Sequence, residues 1–296
     1  MIKNLLRKIF GLKKSETLSS QNIIKRYHEV VTNRIFKEKY TTSDIIEVLK
    51  GMGIGKGSNI FIHSAWDSFS NYQGAPEDLI NALIDLVGED GNIAMPGYPL
   101  IRKKKYDIKN SVTKAGILPE SFRKYPGVYR SANVRHAVCA FGPLAEEITN
   151  THHLSKIRFD EYSPYYKMIG MGFKTISLGL PTFVMGTFVH CVEATMWREN
   201  PYFKSFYDFD SLVEQKYIDV DGVEKTYTEY KDKIVTRNDY IRNQYLIKRY
   251  FDSHYFMKKR LSNLMIGCTD AKYTYNRLCE LARQGIVIYV YPRYRK

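Results

Sequence analysis

Short apolar runs alternate with amphipathic stretches along the first two-thirds of the chain. Residues 59–63 (NIFIH) form a mainly apolar run of the length that is typical of a buried strand. Residues 76–87 repeat apolar side chains at helical spacing, and residues 92–95 form a second short apolar run. A strand, a crossover helix and a second strand favour parallel pairing, so this pattern predicts an α/β sheet.

The same periodicities predict further elements on both sides of this unit. Helices are expected at residues 21–36, 42–50, 116–125, 144–150, 238–261 and 271–284, and strands at residues 264–268 and 287–291. Residues 208–235 alternate apolar and polar side chains around Asp221-Gly222, which predicts a small β-hairpin region in the C-terminal third.

Residues 174–197 form another strand–loop–helix unit. Residues 175–180 predict a buried strand, and Thr187 is expected to supply the N-cap oxygen of a helix over residues 188–197. His190 and Glu193, three residues apart, then share one face of its first turns. An imidazole beside a carboxylate at the open end of a strand can act as a general base with an orienting partner. The same spacing is also typical of an ordinary helix-surface pair that adds only a little stability.

Composition limits the kind of protein this is. The 296 residues are 44% hydrophobic and carry a formal net charge of +14, which favours anionic partners such as phosphorylated ligands, nucleic acid or an anionic membrane surface. The four cysteines form no CxxC pair, so we expect buried thiols in a reducing compartment, the cytoplasm.

The N-terminal segment is basic and amphipathic. Residues 1–14 place apolar side chains at helical spacing with lysines and arginines between them, and residues 15–21 are polar. This helix either rests on an anionic surface, which would put the protein at the inner face of the membrane, or is a basic leader against its own domain. Lysines and arginines interrupt any signal-peptide core, and no apolar run is long enough to span a bilayer. We therefore expect a leader and linker at residues 1–20 and a single domain at residues 21–296.

Several functional classes lack support in the sequence. Residues 51–58 (GMGIGKGS) fit neither glycine-rich phosphate motif, and they precede a predicted strand instead of following one. No HExxH motif or Cys/His cluster is present, so no metal site is predicted. The basic residues are spread along the chain without a known binding motif, so nucleic acid is not an expected partner.

The order of the motifs identifies a resemblance. The chain contains HSAW, QGAPEDLINALIDLVGEDGNIAMPGY, GILPESFRKYPGVYRSANVRHAVCAFG, YSPYYKM, ISLGL and GTFVHCVEA in sequence. This order resembles the aminoglycoside 3-N-acetyltransferase family, clearly over about residues 42–197 and weakly beyond them. The resemblance implies a three-layer α/β/α sandwich with a mostly parallel central sheet. It also implies transfer of an acyl group, acetyl in the expected case, from acyl-coenzyme A to an amine of a sugar.

The resemblance also assigns site residues. In the motif T-x-x-H-x-x-E, His190 is implied as the general base and Glu193 as its carboxylate partner. The residues implied to contact coenzyme A are His63, Ser64, Ala65, Trp66, Arg130 and Ser131. His136 and Tyr98 are expected at the acceptor. The adjacent pair His152 and His153 is expected in an exposed loop.

These residues predict direct acyl transfer. A sugar amine is mostly protonated at neutral pH, so His190 must remove its proton, while backbone N–H groups near Ser64 and Ala65 are the expected oxyanion donors. Ser64 as an acyl-accepting nucleophile is disfavoured because no G-x-S-x-G elbow surrounds it.

The acceptor is predicted from charge. Basic residues near the expected site, namely residues 102–105, Arg130 and Arg135, favour an anionic acceptor. The leading hypothesis is therefore a nucleotide-linked amino sugar used for surface polysaccharide synthesis. The alternatives are an aminoglycoside, as in antibiotic resistance, and less favourably a basic nucleic-acid-binding role. The oligomeric state stays open, with a homodimer as one option.

Overall fold

A computed structural model describes residues 2–9, 23, 26, 30–32, 34–101, 105–180, 186–233 and 248–288. The predicted linker at residues 15–21, half of the predicted helix at residues 21–36 and the basic residues 102–104 lie outside the described residues. The helices are α1 (Ile2–Ile9), α2 (Thr42–Lys50), α3 (Pro76–Val87), α4 (Ile117–Arg123), α5 (Ala145–Thr149), α6 (Pro164–Gly170), α7 (Val189–Met196), α8 (Pro201–Lys204) and α9 (Ala271–Arg283). The strands are β1 (Asn59–Ser64), β2 (Asn92–Pro96), β3 (Tyr106–Asp107), β4 (Tyr129–Arg130), β5 (Val138–Phe141), β6 (Lys174–Leu178), β7 (Tyr207–Ile218), β8 (Glu224–Asp232), β9 (Phe256–Leu261) and β10 (Leu264–Asp270).

Seven strands form the central sheet in the order β4-β5-β2-β1-β6-β10-β9. Strand β1 pairs in parallel with β2 and β6, as the crossover helix α3 between β1 and β2 requires. The four outer pairings are antiparallel. The α/β fold is therefore confirmed, and the expected parallel pairing holds for its three central strands. The edges differ because their connections include short turns, such as the two-residue link between β9 and β10 with Ser262 at φ 49°.

Helices cover both faces of this sheet. Along β1, Ile60 and Ile62 point into a buried cluster with α2, α3 and α4, while Phe61 points to the opposite face. There Phe61 packs against Tyr165 of α6 and Phe188 just before α7. This alternation is what strand geometry dictates for a strand buried on two sides. The result is the three-layer α/β/α arrangement that the resemblance implied.

The predicted hairpin region is a second, smaller sheet. Strands β7 and β8 pair antiparallel, and β3 pairs in parallel with β7. Between the two long strands, the Asp219 side chain accepts hydrogen bonds from the backbone N–H groups of Asp221 and Val223, which fixes the turn. The C-terminal end of β8 lies beside the candidate site described below.

Two predicted elements of the C-terminal region are wrong where the structure describes them. The helix expected over residues 238–261 is replaced, over residues 248–261, by two short 3-10 turns and strand β9. Pairing of β9 with β10 along the sheet edge overrides the helical periodicity. The strand expected at residues 287–291 is absent at Val287 and Ile288, and its remainder lies outside the described residues. None of the described helices is both long and apolar enough to cross a membrane.

Candidate active site

Three carboxyl ends of central strands meet through a short chain of polar contacts. His63 lies near the end of β1, Tyr98 follows β2, and Thr187 precedes α7, the helix after β6. The Tyr98 hydroxyl lies 2.8 Å from Thr187 Oγ1, and the Thr187 backbone N–H donates to His63 Nε2 over 3.3 Å. Ligands of open α/β sheets bind beyond such strand ends, so these contacts mark the position of the candidate site.

Thr187 has a different role from the expected one. The N-cap of α7 is Phe188, without a side-chain capping hydrogen bond. The Thr187 hydroxyl instead contacts Tyr98, because β2 brings that phenol to within hydrogen-bond distance. The predicted N-cap is therefore wrong, and Thr187 joins α7 to the neighbouring strand ends.

His190 and Glu193 form the predicted pair. His190 Nδ1 lies 2.9 Å from Glu193 Oε1, with the imidazole 28% exposed and the carboxylate 2% exposed. When the ring is neutral, its Nδ1–H donates to the carboxylate, so Nε2 carries the lone pair. A general base needs that tautomer together with partial access to solvent or substrate.

The pair opens into a cavity of about 150 Å³ between α7 and the end of β8. Its walls are formed by His136, Arg158, Phe159, His190, Glu193, Phe206, Tyr207, Asp232 and Lys233. The Phe159 ring lies 4.9 Å from the rings of both His136 and His190, measured between centroids. His136 and His190, 54 positions apart in the sequence, thus share one wall as the predicted acceptor and base residues.

Two other histidines near the strand ends remain uncharged. Burial lowers the pKa of His63 to about 4, and burial, with the nearby Arg158, lowers the pKa of His136 to about 2. Since neither ring is protonated at neutral pH, His63 acts as a hydrogen-bond acceptor for the Thr187 N–H, and the His136 ring packs against Phe159. The Nδ1 atom of His136 is buried and has no hydrogen-bond partner among the described residues, which leaves one polar atom of the cavity wall unsatisfied.

Opposite α7 the cavity is lined by Arg158 and Asp232, which the sequence interpretation missed, and these two residues pair with Glu229 and Arg135 behind them. Arg158 donates from Nε to Glu229 Oε2 over 3.2 Å and from Nη2 to Asp232. Arg135 donates from Nη1 to the same Asp232 oxygen over 2.5 Å. The sequence gives only a weak indication of this charged cluster. Glu229 shares a face of β8 with the buried Tyr227, and a carboxylate on the inner face of a strand needs a cationic partner. Its arginines come from distant loops, so no spacing rule identifies them.

Arg130 and Ser131 are buried in contacts within the chain. The Arg130 guanidinium donates to the backbone carbonyls of Gly97, Ile108 and Ser111. Arg130 also lies over the Tyr106 ring, 5.1 Å from its centroid. These contacts hold the loop after β2 against β4, so a positioning role fits Arg130 better than the predicted direct contact with coenzyme A.

His152 is fully buried, so its predicted exposed position is wrong. Its Nε2–H donates to the Arg158 carbonyl oxygen over 3.0 Å, which leaves Nδ1 to accept from the Ser131 hydroxyl over 2.8 Å. Ser131 Oγ accepts in turn from the Val138 N–H. His152 therefore joins the loop that carries His136 to the loop that carries Arg158 and Phe159.

Several residues of the segment after His63 make contacts within the fold. The Ala65 N–H donates to the Leu178 carbonyl oxygen over 2.9 Å, which extends the pairing of β1 with β6. Ala65 is therefore not the oxyanion donor that the sequence suggested. Trp66 stacks on Phe69 at 4.5 Å between ring centroids, while Ser64 is the last residue of β1, in register with Leu178.

Among the described residues, no group of three or more histidine, cysteine, aspartate and glutamate side chains is placed to hold a metal ion.

Fold and site together define an α/β protein with a histidine–carboxylate pair where the carboxyl ends of its parallel strands converge. The family profile described as "Aminoglycoside 3-N-acetyltransferase" matches residues 61–276, well over half of the chain. The chain belongs to this family, which confirms the resemblance found in its motifs.

Individual relatives give the same assignment. The aminoglycoside N(3')-acetyltransferase-like protein YokD of Bacillus subtilis is 31% identical over 152 residues, 43% of this chain and 56% of that protein. Aminoglycoside N(3)-acetyltransferase VII of Streptomyces paromomycinus is 26% identical over 175 residues, 52% of this chain and 60% of that protein. The matched part of the chain thus spans somewhat more than half the length of these relatives.

Solved structures establish the fold. Aminoglycoside acetyltransferase AAC(3)-Xa superposes with a TM-score of 0.70 at 17% identity, covering 88% of this chain and 99% of its own. AAC-IIIb, solved as a binary complex with CoASH, superposes with a TM-score of 0.66 at 20% identity, covering 84% of this chain and 98% of its own.

Proposed function

We propose that this protein is an acetyl-coenzyme A-dependent N-acetyltransferase that acts on an amine of an amino sugar. The single observation that carries the proposal is the His190–Glu193 pair in the wall of a cavity at the strand ends. The family supplies the reaction class, since its relatives are named as N-acetyltransferases of aminoglycosides.

The residues allow a direct transfer. His190 Nε2 removes a proton from the acceptor ammonium, and Glu193 holds the tautomer and stabilises the imidazolium that forms. The freed amine nitrogen attacks the thioester carbonyl carbon, so a C–N bond forms as the C–S bond breaks. The second nitrogen proton leaves with the thiolate as CoASH, and the proton on His190 returns to solvent.

The acetyl-coenzyme A side of the site is assigned to the strand-end contacts. His63 and Ser64 end β1, and the hydroxyls of Tyr98 and Thr187 meet beside them. Both hydroxyls can donate hydrogen bonds beside the end of β1, where the thioester is proposed to bind. Arg130 and Ser131 support this region from behind through their backbone contacts.

The acceptor proposed is an aminoglycoside-type amino sugar. The nucleotide-linked hypothesis depended on basic residues near the site, and those that the structure describes are paired within the chain. Arg130 donates to backbone carbonyls, Arg135 pairs with Asp232 and Glu229, and Lys105 pairs with Glu224. Neither arginine therefore offers its charge to a phosphate without breaking internal contacts.

A coenzyme A-release assay tests this proposal. Acetyl-coenzyme A is supplied with a panel of free amino sugars, aminoglycosides and nucleotide-linked amino sugars. Turnover is expected with members of the first two groups. Turnover restricted to the nucleotide-linked compounds would restore the original acceptor hypothesis, and no coenzyme A release with any amine would contradict the proposed reaction.

The N-terminal segment is proposed to be dispensable for chemistry. Leu5 and Ile9 of α1 are exposed beside basic side chains, which suits contact with an anionic membrane surface. Deletion of residues 1–15 is expected to leave turnover unchanged and to reduce co-sedimentation with anionic vesicles. Loss of folding on deletion would show that the segment packs into the domain, and unchanged sedimentation would contradict the membrane contact.

A further inference from the structure

The loop at residues 155–163, which leads into α6, places two consecutive side chains on the candidate site. Arg158 pairs with Asp232 at the end of β8. Phe159 is buried, and its ring lies 4.9 Å from the His190 ring between centroids, with the two planes tilted by 34°. Phe159 is therefore a flat surface against which the proposed base packs.

Asp160, the next residue, holds the main chain of this loop in place. One carboxylate oxygen, Oδ2, accepts from the backbone N–H groups of Lys156 and Ile157 over 2.8 and 3.0 Å. The other, Oδ1, accepts from the Tyr162 N–H over 3.2 Å. Asp160 is only 7% exposed, and burial raises the pKa of its carboxyl group. A buried carboxylate is costly unless such donors satisfy it, so these three hydrogen bonds fix the loop conformation.

The orientation of the His190 ring depends on its packing as well as on its hydrogen bond. The contact with Glu193 determines which nitrogen carries the proton, whereas the tilt of the ring depends on the surfaces packed against it. Phe159 is such a surface, and the Tyr165 ring of α6 supports it from 5.2 Å away, measured between centroids. A general base must lie within hydrogen-bond distance of the acceptor amine, so a tilted imidazole loses rate even when both members of the pair are present.

We propose that Phe159 and Asp160 are positioning residues for the acetyl transfer. Asp160 fixes the loop, the loop holds the Phe159 ring against His190, and neither side chain takes part in the proton transfer. This role rests on the proposed N-acetyltransferase function and adds two residues that act through its base. Their substitution should lower turnover without weakening the binding of acetyl-coenzyme A, because the proposed cofactor contacts lie at the strand ends around His63.

Two substitutions test this role. Phe159→Leu keeps an apolar side chain without the flat ring, and Asp160→Asn replaces an acceptor oxygen by an NH₂ group beside backbone donors. Phe159→Leu is expected to lower kcat about tenfold to hundredfold and Asp160→Asn about threefold to tenfold, with KM for acetyl-coenzyme A within about twofold. In a His190→Ala background the same substitutions should lower the residual rate by less than about twofold, because their effect passes through the imidazole.

Matched controls lie outside the cavity. Asp219 is also 7% exposed and accepts from the backbone N–H groups of Asp221 and Val223, so Asp219→Asn makes the same chemical change at the β7–β8 turn. Phe122→Leu removes a buried ring on the other face of the sheet. Both controls are expected to lower the thermal unfolding temperature much as the test variants do and to leave kcat within about twofold.

A measurement that needs no turnover separates this role from the proposed function. The NMR shifts of the His190 ring protons, assigned by their loss in His190→Ala, report the ring current of Phe159. Asp160→Asn is expected to move these shifts toward their values in Phe159→Leu, whereas Asp219→Asn leaves them unchanged.

The possible outcomes have different consequences. Unmoved shifts in Asp160→Asn would overturn the positioning role, as would equal losses of rate with and without His190. Wild-type kcat in a folded Phe159→Leu protein would overturn it too, and this variant decides the kinetic question if Asp160→Asn does not fold. A wild-type protein that acetylates no amine but shows the expected shifts would contradict the proposed function alone.

Discussion

Two histidines at neighbouring positions of the fold have opposite surroundings. His190 lies on α7 with its ring partly exposed to a cavity and a buried carboxylate 2.9 Å from Nδ1. His152 is fully buried, and its two nitrogens contact the Ser131 hydroxyl and the Arg158 carbonyl. The first arrangement can accept a proton and stabilise the resulting charge. The second contacts only uncharged groups among the described residues, so it holds two loops together in the neutral form.

The largest expected effect comes from removing the first histidine. His190→Ala is expected to lower kcat/KM for acetyl transfer by ~10²–10⁴-fold, because the acceptor loses its general base. Affinity for coenzyme A should stay within a few-fold. Steady-state kinetics and calorimetry measure the two quantities, with His153→Ala as the matched control. Near wild-type turnover of His190→Ala would show that another group is the base.

Removing the charge of Glu193, the partner of His190, should lower the rate of acetyl transfer less. Glu193→Gln keeps a hydrogen-bond acceptor near His190 Nδ1 but loses the charge that stabilises the imidazolium, so kcat is expected to fall about tenfold to hundredfold. Glu199→Gln, which changes an exposed carboxylate paired with Arg283, is the control and should be unaffected. Equal losses in the two variants would mean that Glu193 has no special role.

For His152 the expected effect is on stability. His152→Leu leaves the Ser131 hydroxyl and the Arg158 carbonyl buried without their partner, so the free energy of unfolding should fall by about 2–4 kcal/mol. Urea denaturation measures this change. His153→Leu, at the partly exposed neighbouring position, should change it by about 0.5 kcal/mol or less. A small effect of His152→Leu would contradict its role as the link between the two loops.

The smallest effect is a pH dependence of stability. Burial lowers the pKa of His152 to about 3, whereas an unfolded histidine titrates near 6.5. The unfolded chain therefore binds a proton first as the pH falls. The contribution of His152 is complete above pH 6.5 and decreases below it, by at most about 1.4 kcal/mol per pH unit. Denaturation at pH 7.5, 6 and 5 should show a shallower pH dependence for His152→Gln than for the wild type, and parallel curves would contradict the assignment.

Local sequence determined the parts of this protein that depend on neighbouring residues. The order of β1, α3 and β2 follows from apolar periodicity and connection length, and the parallel centre of the sheet follows from that order. The His190–Glu193 contact follows equally, because residues three apart on a helix face each other. The family motifs then supplied the chemistry of this pair.

Tertiary structure alone decided which polar residues face the cavity and which are buried. Arg158 and Asp232 are 74 positions apart, and only the packing of the β7–β8 hairpin against the loop before α6 brings them together. The same packing encloses His152, and the segment after β2 places backbone carbonyls around Arg130, although the sequence context of these two residues suggested exposure or ligand binding. A polar side chain is assigned its partner by whichever donor or acceptor the folded chain places within hydrogen-bond distance, and no local spacing encodes that choice.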